Sequence, residues 1–186
     1  MTRYLILPGW QGSGPEHWQT HWQRRLPDAR RVEQDDWQRP DPQRWVAALD
    51  AAIAQANAPV VLIAHSLGCV TVARWAASAP VARRQRVLAA LLVAPADVER
   101  PGCPVELVGF APLPRQPLPF PSRVVTSDND HAISLPRAEA LAQAWAWRRV
   151  IISTGSSRPR SSRVSNWPMR LRLLRQSVTT SRLLAG

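Results

Sequence analysis

Residues 59–64, Pro-Val-Val-Leu-Ile-Ala, form a continuous apolar run that passes through His-Ser-Leu-Gly into a helical pattern with no room for a loop. A strand buried on both faces that turns at once into a helix constrains the fold more than any other feature of this chain. Such a strand needs helices on both sides of its sheet. Comparable runs recur at residues 3–7, stopped by Pro8 and Gly9, at 87–93 and at 122–126, with a weaker one at 30–34 and a last one at 149–152. Helical patterns fall between them. Trp45, Leu49 and Ile53 share a face within 41–56, where Asp41 is a cap candidate and Pro42 suits the first turn. Residues 67–78 follow the central strand and end at Pro80, and a further helix opens near Ser134 with Ala138, Leu141 and Trp145 on one side. This alternation predicts an α/β fold, a compact three-layer sandwich around a mostly parallel central sheet. Residues 102–121 carry six prolines and are expected to be an extended loop.

The junction at 63–69, Ile-Ala-His-Ser-Leu-Gly-Cys, fits small-x-Ser-x-Gly through Ala64, Ser66 and Gly68. An abrupt strand-to-helix turn strains its middle residue, and small residues two before and two after avoid clashes with neighbouring backbone. Ser66 would then present its hydroxyl at the carboxyl end of the sheet as a nucleophile, with the Leu67 amide as one oxyanion donor. The plainer reading is that Ser66 caps the helix. A second donor should come from the glycine-rich loop after the first strand, 7–14, where the Trp10 amide is the candidate. Gly9, Gly12 and Gly14 do not make G-x-G-x-x-G and no G-K-[ST] follows, so a nucleotide site is disfavoured.

The chain of 186 residues suits one domain, and its 45% hydrophobic content excludes disorder by composition. No apolar run approaches the roughly 18 residues of a membrane span. The opening decapeptide is interrupted too early to be a secretory signal. Cys69 and Cys103 make no disulfide framework, so a cytoplasmic setting is expected. The formal charge of +11, carried by 24 arginines and no lysine against 13 acids, is unevenly spread. Residues 148–186 hold nine arginines and no acid, whereas 1–147 hold 15 arginines and 13 acids, a net of only +2. The division expected is a core at 1–152 and an Arg/Ser-rich segment at 153–186.

Residues 7–18, Leu-Pro-Gly-Trp-Gln-Gly-Ser-Gly-Pro-Glu-His-Trp, together with 64–69 and with Ser-Asp-Asn-Asp at 127–130, resemble the small serine hydrolases related to retinoblastoma-binding protein nine and to YdeN. The resemblance runs over about residues 2–147. It implies a lid-poor α/β-hydrolase that cleaves a small ester or amide through an acyl-enzyme, with neither metal nor cofactor. It also implies a triad of an elbow serine, an aspartate after the penultimate strand and a histidine after the last strand. Ser66 matches the first and Asp130 the second. Asp128 is the alternative acid, and an Asx turn is the plainer reading of Asp130. His65, beside Ser66 on a tight turn, reads as a packed residue. His17 and His21 read as first-helix packing rather than metal ligands, with His17 able to line the cleft beside Trp10.

The third member is missing. Where the resemblance places Gly-His, the sequence has serines at 156 and 157, and no histidine follows position 131. An unassisted serine hydroxyl is a poor nucleophile at neutral pH. Three accounts remain open: a shifted reading frame across the tail, a real loss of the base in a protein that binds without turnover, or substitution by His131. A rival class reads the basic tail as a nucleic-acid module. Against it, the tail has one aromatic residue, Trp167, and no recognisable binding motif. The partner that the resemblance implies is a small ester or amide; no membrane is expected, nucleic acid is disfavoured, and nothing in the sequence signals an oligomeric state.

Overall fold

The computed structural model describes residues 2–127, 130 and 132–145, and the backbone of 148–152. The expected tail segment, 153–186, lies outside the described residues, as do Asp128 and His131.

In chain order the elements are β1 (Arg3–Leu7), α1 (Trp18–Arg25), β2 (Ala29–Arg31), α2 (Pro42–Gln55), β3 (Val60–His65), α3 (Leu67–Ser78), α4 (Val81–Arg84), β4 (Val87–Val93), β5 (Ser122–Ser127), α5 (Leu135–Trp145) and β6 (Arg148–Ile152). The six strands form one sheet in the order β2-β1-β3-β4-β5-β6, and every pairing is parallel. Parallel neighbours require crossovers, which the helices provide. The result is the three-layer α/β architecture expected from the alternation of apolar runs and helical patterns.

Strand alternation divides the core between the two faces of the sheet. Leu5 and Leu7 of β1 join Leu62, Ala64, Leu92 and Val124 in one cluster with the buried faces of α2, α3 and α5. Tyr4 and Ile6 face the other way and pack with Ile63, Leu91, Val125 and Trp22 of α1. α2 begins as its sequence dictates. Asp41 accepts a hydrogen bond from the Arg44 amide at 2.8 Å, Pro42 occupies the first turn, and Trp45, Leu49 and Ile53 are buried.

The proline-rich stretch departs from expectation. Within it, Val105–Phe110 closes a 3-10 turn that buries Leu107 and Phe110. These residues are the longest proline-free interval between Gly102 and Pro121, and their i, i+3 spacing suits a three-residue period.

No helix among the described residues is long and apolar enough to cross a membrane.

Candidate active site

Three loops meet at the carboxyl ends of the central strands. β3 passes into α3 through Ser66, whose backbone has φ 52° and ψ −120°. A helix cap adopts extended dihedrals and bonds an amide of the first turn through its side chain. Ser66 does neither: its dihedrals lie outside that region and its hydroxyl makes no cap hydrogen bond. Positive φ at a non-glycine residue is costly, and it recurs at Ala94, where β4 ends, and at Gln11, in the loop after β1.

The glycines around Ser66 are required by close approach. A Cβ on Gly68 would stand 2.5 Å from the Leu7 carbonyl oxygen and 2.7 Å from that of Pro8. The first turn of α3 therefore lies directly on the backbone that leaves β1. A Cβ on Gly9 would lie 2.7 Å from the Ser66 Cβ and 3.2 Å from its Oγ. Trp10 follows Gly9, the residue against Ser66, and Leu67 occupies the first position of α3, where an amide has no intrahelical acceptor. The loop bearing Trp10 is held by its own contacts. Trp10 Nε1 donates to the Gln38 carbonyl at 2.8 Å, the Gln11 amide to that of Trp37 at 2.9 Å, and the Gly12 amide to that of Gly9 at 3.0 Å.

Asp130 follows β5, two strands from β3 in the sheet. The segment after β4 bridges the two, since the Ala96 amide donates to the Ser66 carbonyl at 3.4 Å and the Asp97 amide to the Ala132 carbonyl at 3.3 Å. Asp130 Oδ1 accepts from the Ala132 amide at 2.8 Å, so the Asx turn of the plainer reading does form. It occupies one lone pair of one oxygen and leaves Oδ2 for another donor. Asp130 also lines an open cavity of about 590 Å³ with Asp97, Glu99, Arg100, Ile133 and Arg137.

Two features of this region were not read from the sequence. Asp97 is buried, with both carboxylate oxygens bound at 2.9 Å by Arg137. Asp97 thus carries Arg137 on both oxygens, whereas Asp130 accepts the Ala132 amide on Oδ1. Gln19 of α1 is also fully buried, and its side chain reaches β1, β3 and Ser13. A polar side chain three residues before buried Trp22, on the same helix face, was the available signal for Gln19.

The three described histidines, His17, His21 and His65, are engaged in other contacts. His65 packs against the rings of His17, at 4.8 Å between centroids, and Trp18, at 6.0 Å. His17 caps α1, its Nδ1 accepting from the Gln19 amide at 3.2 Å, and His21 lies 3.7 Å from Glu16. Desolvation, and secondarily the charge of His17, lowers the His65 pKa from 6.5 to about 4. Desolvation, Arg31 and His21 lower that of His17. Among the described residues no group of three His, Cys, Asp or Glu side chains could hold a metal ion.

The lowered values fix a direction. An imidazole held neutral in the fold but free to charge in the unfolded chain leaves stability intact above pH 6.5 and removes it as pH falls towards 4. For His65 the loss expected between about pH 7.5 and about pH 5 is about 2 kcal/mol. Urea unfolding of the parent and of His65→Gln at both pH values measures it. Equal pH dependence in the two proteins would show that His65 is not buried neutral.

Comparison with known proteins places the chain. The sequence pattern of a family described as serine hydrolase matches residues 4–176. Among solved structures, a YdeN-like hydrolase from Pectobacterium atrosepticum is similar at 27% identity with a TM-score of 0.74, covering 94% of this chain and 92% of its own. The YdeN product of B. subtilis is similar at 17% identity and a TM-score of 0.67, over 97% of this chain and all of its own. A type II thioesterase of the yersiniabactin pathway, YbtT, shares the fold at 16% identity and a TM-score of 0.63, over 95% of this chain and 94% of its own. No curated protein sequence matches the chain.

Proposed function

The chain belongs to the serine hydrolase family, and we propose that it cleaves a small ester or amide through an acyl-enzyme formed on Ser66. The observation that carries this reading is the Ser66 backbone, held at φ 52° and ψ −120° with no cap hydrogen bond while Gly9 packs against its side chain. Strain of that kind at the carboxyl end of a sheet serves to present a side chain to a ligand.

In this reading Ser66 Oγ attacks the carbonyl carbon, and the amides of Trp10 and Leu67 hold the oxygen that becomes negative. Collapse of the tetrahedral intermediate expels the alcohol or amine with a proton and leaves the acyl group on Ser66. Water then attacks the same carbon and releases the acid. Asp130 would orient a base through Oδ2, as the acid of a triad does without itself touching the serine. The position after β6, where the resemblance puts that base, lies outside the described residues. Neither metal nor cofactor enters the proposed chemistry.

A second reading, a hydrolase fold that binds without turnover, is favoured by one observation: no histidine follows position 131. A fluorophosphonate probe separates the two. Intact-mass analysis of the full chain should show one adduct, mapped by digestion to Ser66 and absent from Ser66→Ala. An unlabelled parent protein that binds ester analogues would establish the second reading instead.

A further inference from the structure

We propose that Gln19 is a positioning residue that sets the gap between the loop bearing Trp10 and the turn bearing Ser66. The proposal rests on the role given to Ser66 above. It stands on three hydrogen bonds from one fully buried side chain. Gln19 Nε2 donates to the carbonyl of Leu7, the last residue of β1, at 3.0 Å. Its second hydrogen goes to the carbonyl of Ile63, near the end of β3, at 3.1 Å. Gln19 Oε1 accepts from Ser13 Oγ at 2.8 Å.

These partners are not scattered. Leu7 stands immediately before the loop that carries Gly9 and Trp10, Ser13 stands at its far end, and Ile63 lies three residues before Ser66. One amide group therefore ties both ends of the Trp10 loop to the strand that delivers Ser66. β1 and β3 are neighbours, and their ladder ends at Leu7 and Ala64, where the two loops begin. Because Leu7 pairs with Ala64 and Pro8 has no N–H, both carbonyls already accept a ladder amide, and Gln19 adds a second, cross-strand bond to each. An apolar side chain could fill the space but could not link the two carbonyls to Ser13. The clamp is itself held, because the Ser13 carbonyl accepts from Arg31 Nη1 at 2.9 Å and from Thr20 Oγ1 at 3.1 Å.

A buried glutamine could also do no more than stabilise α1, and that role has a different signature. Gln19→Met keeps the approximate volume and removes all three bonds. Trp22→Phe perturbs a buried residue of the same helix whose indole N–H has no partner among the described residues. Residue-resolved amide exchange is followed in both variants and in the parent. Gln19→Met should speed exchange about 10-fold or more at the hydrogen-bonded amides of Gln11, Gly12 and Cys69, with α2 no faster than in Trp22→Phe. In the same proteins the maximal rate of Ser66 labelling by the fluorophosphonate should fall about 10- to 100-fold in Gln19→Met, with half-saturating probe concentration unchanged. Trp22→Phe should stay within about twofold of the parent. If Gln19→Met does not fold, Ser13→Ala removes the loop-end anchor alone and should speed exchange at Gln11 and Gly12 but not at Cys69.

Equal slowing of labelling in the glutamine and tryptophan variants would overturn the proposal. So would exchange that rises everywhere alike or nowhere in the loop. An unlabelled parent protein would count against the acyl-enzyme reading, and the exchange measurements would then decide the clamp by themselves.

Discussion

Gly68→Ala is expected to destabilise the protein by about 3 kcal/mol and to slow acylation of Ser66 about 100-fold. The added methyl would meet two backbone oxygens, of Leu7 at 2.5 Å and of Pro8 at 2.7 Å. Neither can rotate aside as a side-chain tip would. Relief requires α3 to lift from the end of β1, or that end to move away from α3. Either displacement separates the Trp10 loop from Ser66, because Ser66 directly precedes α3 and Gly9 directly follows Pro8. Stability and reactivity should therefore fall together. Urea midpoints and labelling rates measured on one preparation check this, and a variant of unchanged midpoint with the parent's labelling rate would rule out the close approach.

The same glycine shows what the sequence could reveal. Its spacing from Ser66 is local information, readable because a strand that turns at once into a helix leaves room for small residues on both sides of the turn. β3 and α3 were legible for that reason, as was the start of α2, where Asp41, Pro42 and the Trp45, Leu49, Ile53 stripe agree. The identity of the surface that excludes a Cβ at Gly68 was not local. It is the end of β1, about sixty residues earlier in the chain.

Gln19 illustrates the limit more sharply. Its partners are two backbone carbonyls and a serine hydroxyl, none of which leaves a mark in the side-chain pattern. Only the adjacency of β1 and β3 brings those carbonyls to one point. α1 shows in the sequence only through the spacing of His17 and His21, because eight residues rich in polar side chains give little further periodic signal. The 3-10 turn at Val105–Phe110 was hidden by its neighbours, since prolines on either side argued for an extended chain.

Charge was legible in total but not in use. The near balance within 1–147 becomes, in the fold, specific pairs such as Arg3 with Asp28 and Arg44 with Asp35. The pair with the greatest consequence joins residues 40 positions apart. Asp97 has only 3% of its side chain exposed and receives Arg137 through two bonds, while the Glu99 amide adds a third at 3.1 Å. Burial would by itself raise the Asp97 pKa. The Arg137 and Glu99 hydrogen bonds, with the charges of Arg137 and Arg100, reverse this and hold it below the usual carboxylate value.

Arg137→Met should therefore cost about 3–5 kcal/mol at neutral pH, the penalty for leaving a buried carboxylate without its counter-charge. The dependence on pH should also change sign. In the parent, a lowered carboxyl pKa contributes stability that is fully present above the unfolded value near 4 and is lost as pH falls through the folded one. Without Arg137, burial dominates and raises the Asp97 pKa, so the carboxyl folds more readily when protonated. The deficit of Arg137→Met against the parent should then grow as pH rises from about 4 towards 7. Adding Asp97→Asn to Arg137→Met removes the charge and should recover more than half of the loss at neutral pH, on the order of 2 kcal/mol or more. Urea unfolding of parent, single and double variants at about pH 4.5 and about pH 7.5 tests each step. A deficit independent of pH, unrelieved by Asp97→Asn, would mean that Arg137 acts through packing of its stem and through Glu99, which it contacts at 2.5 Å.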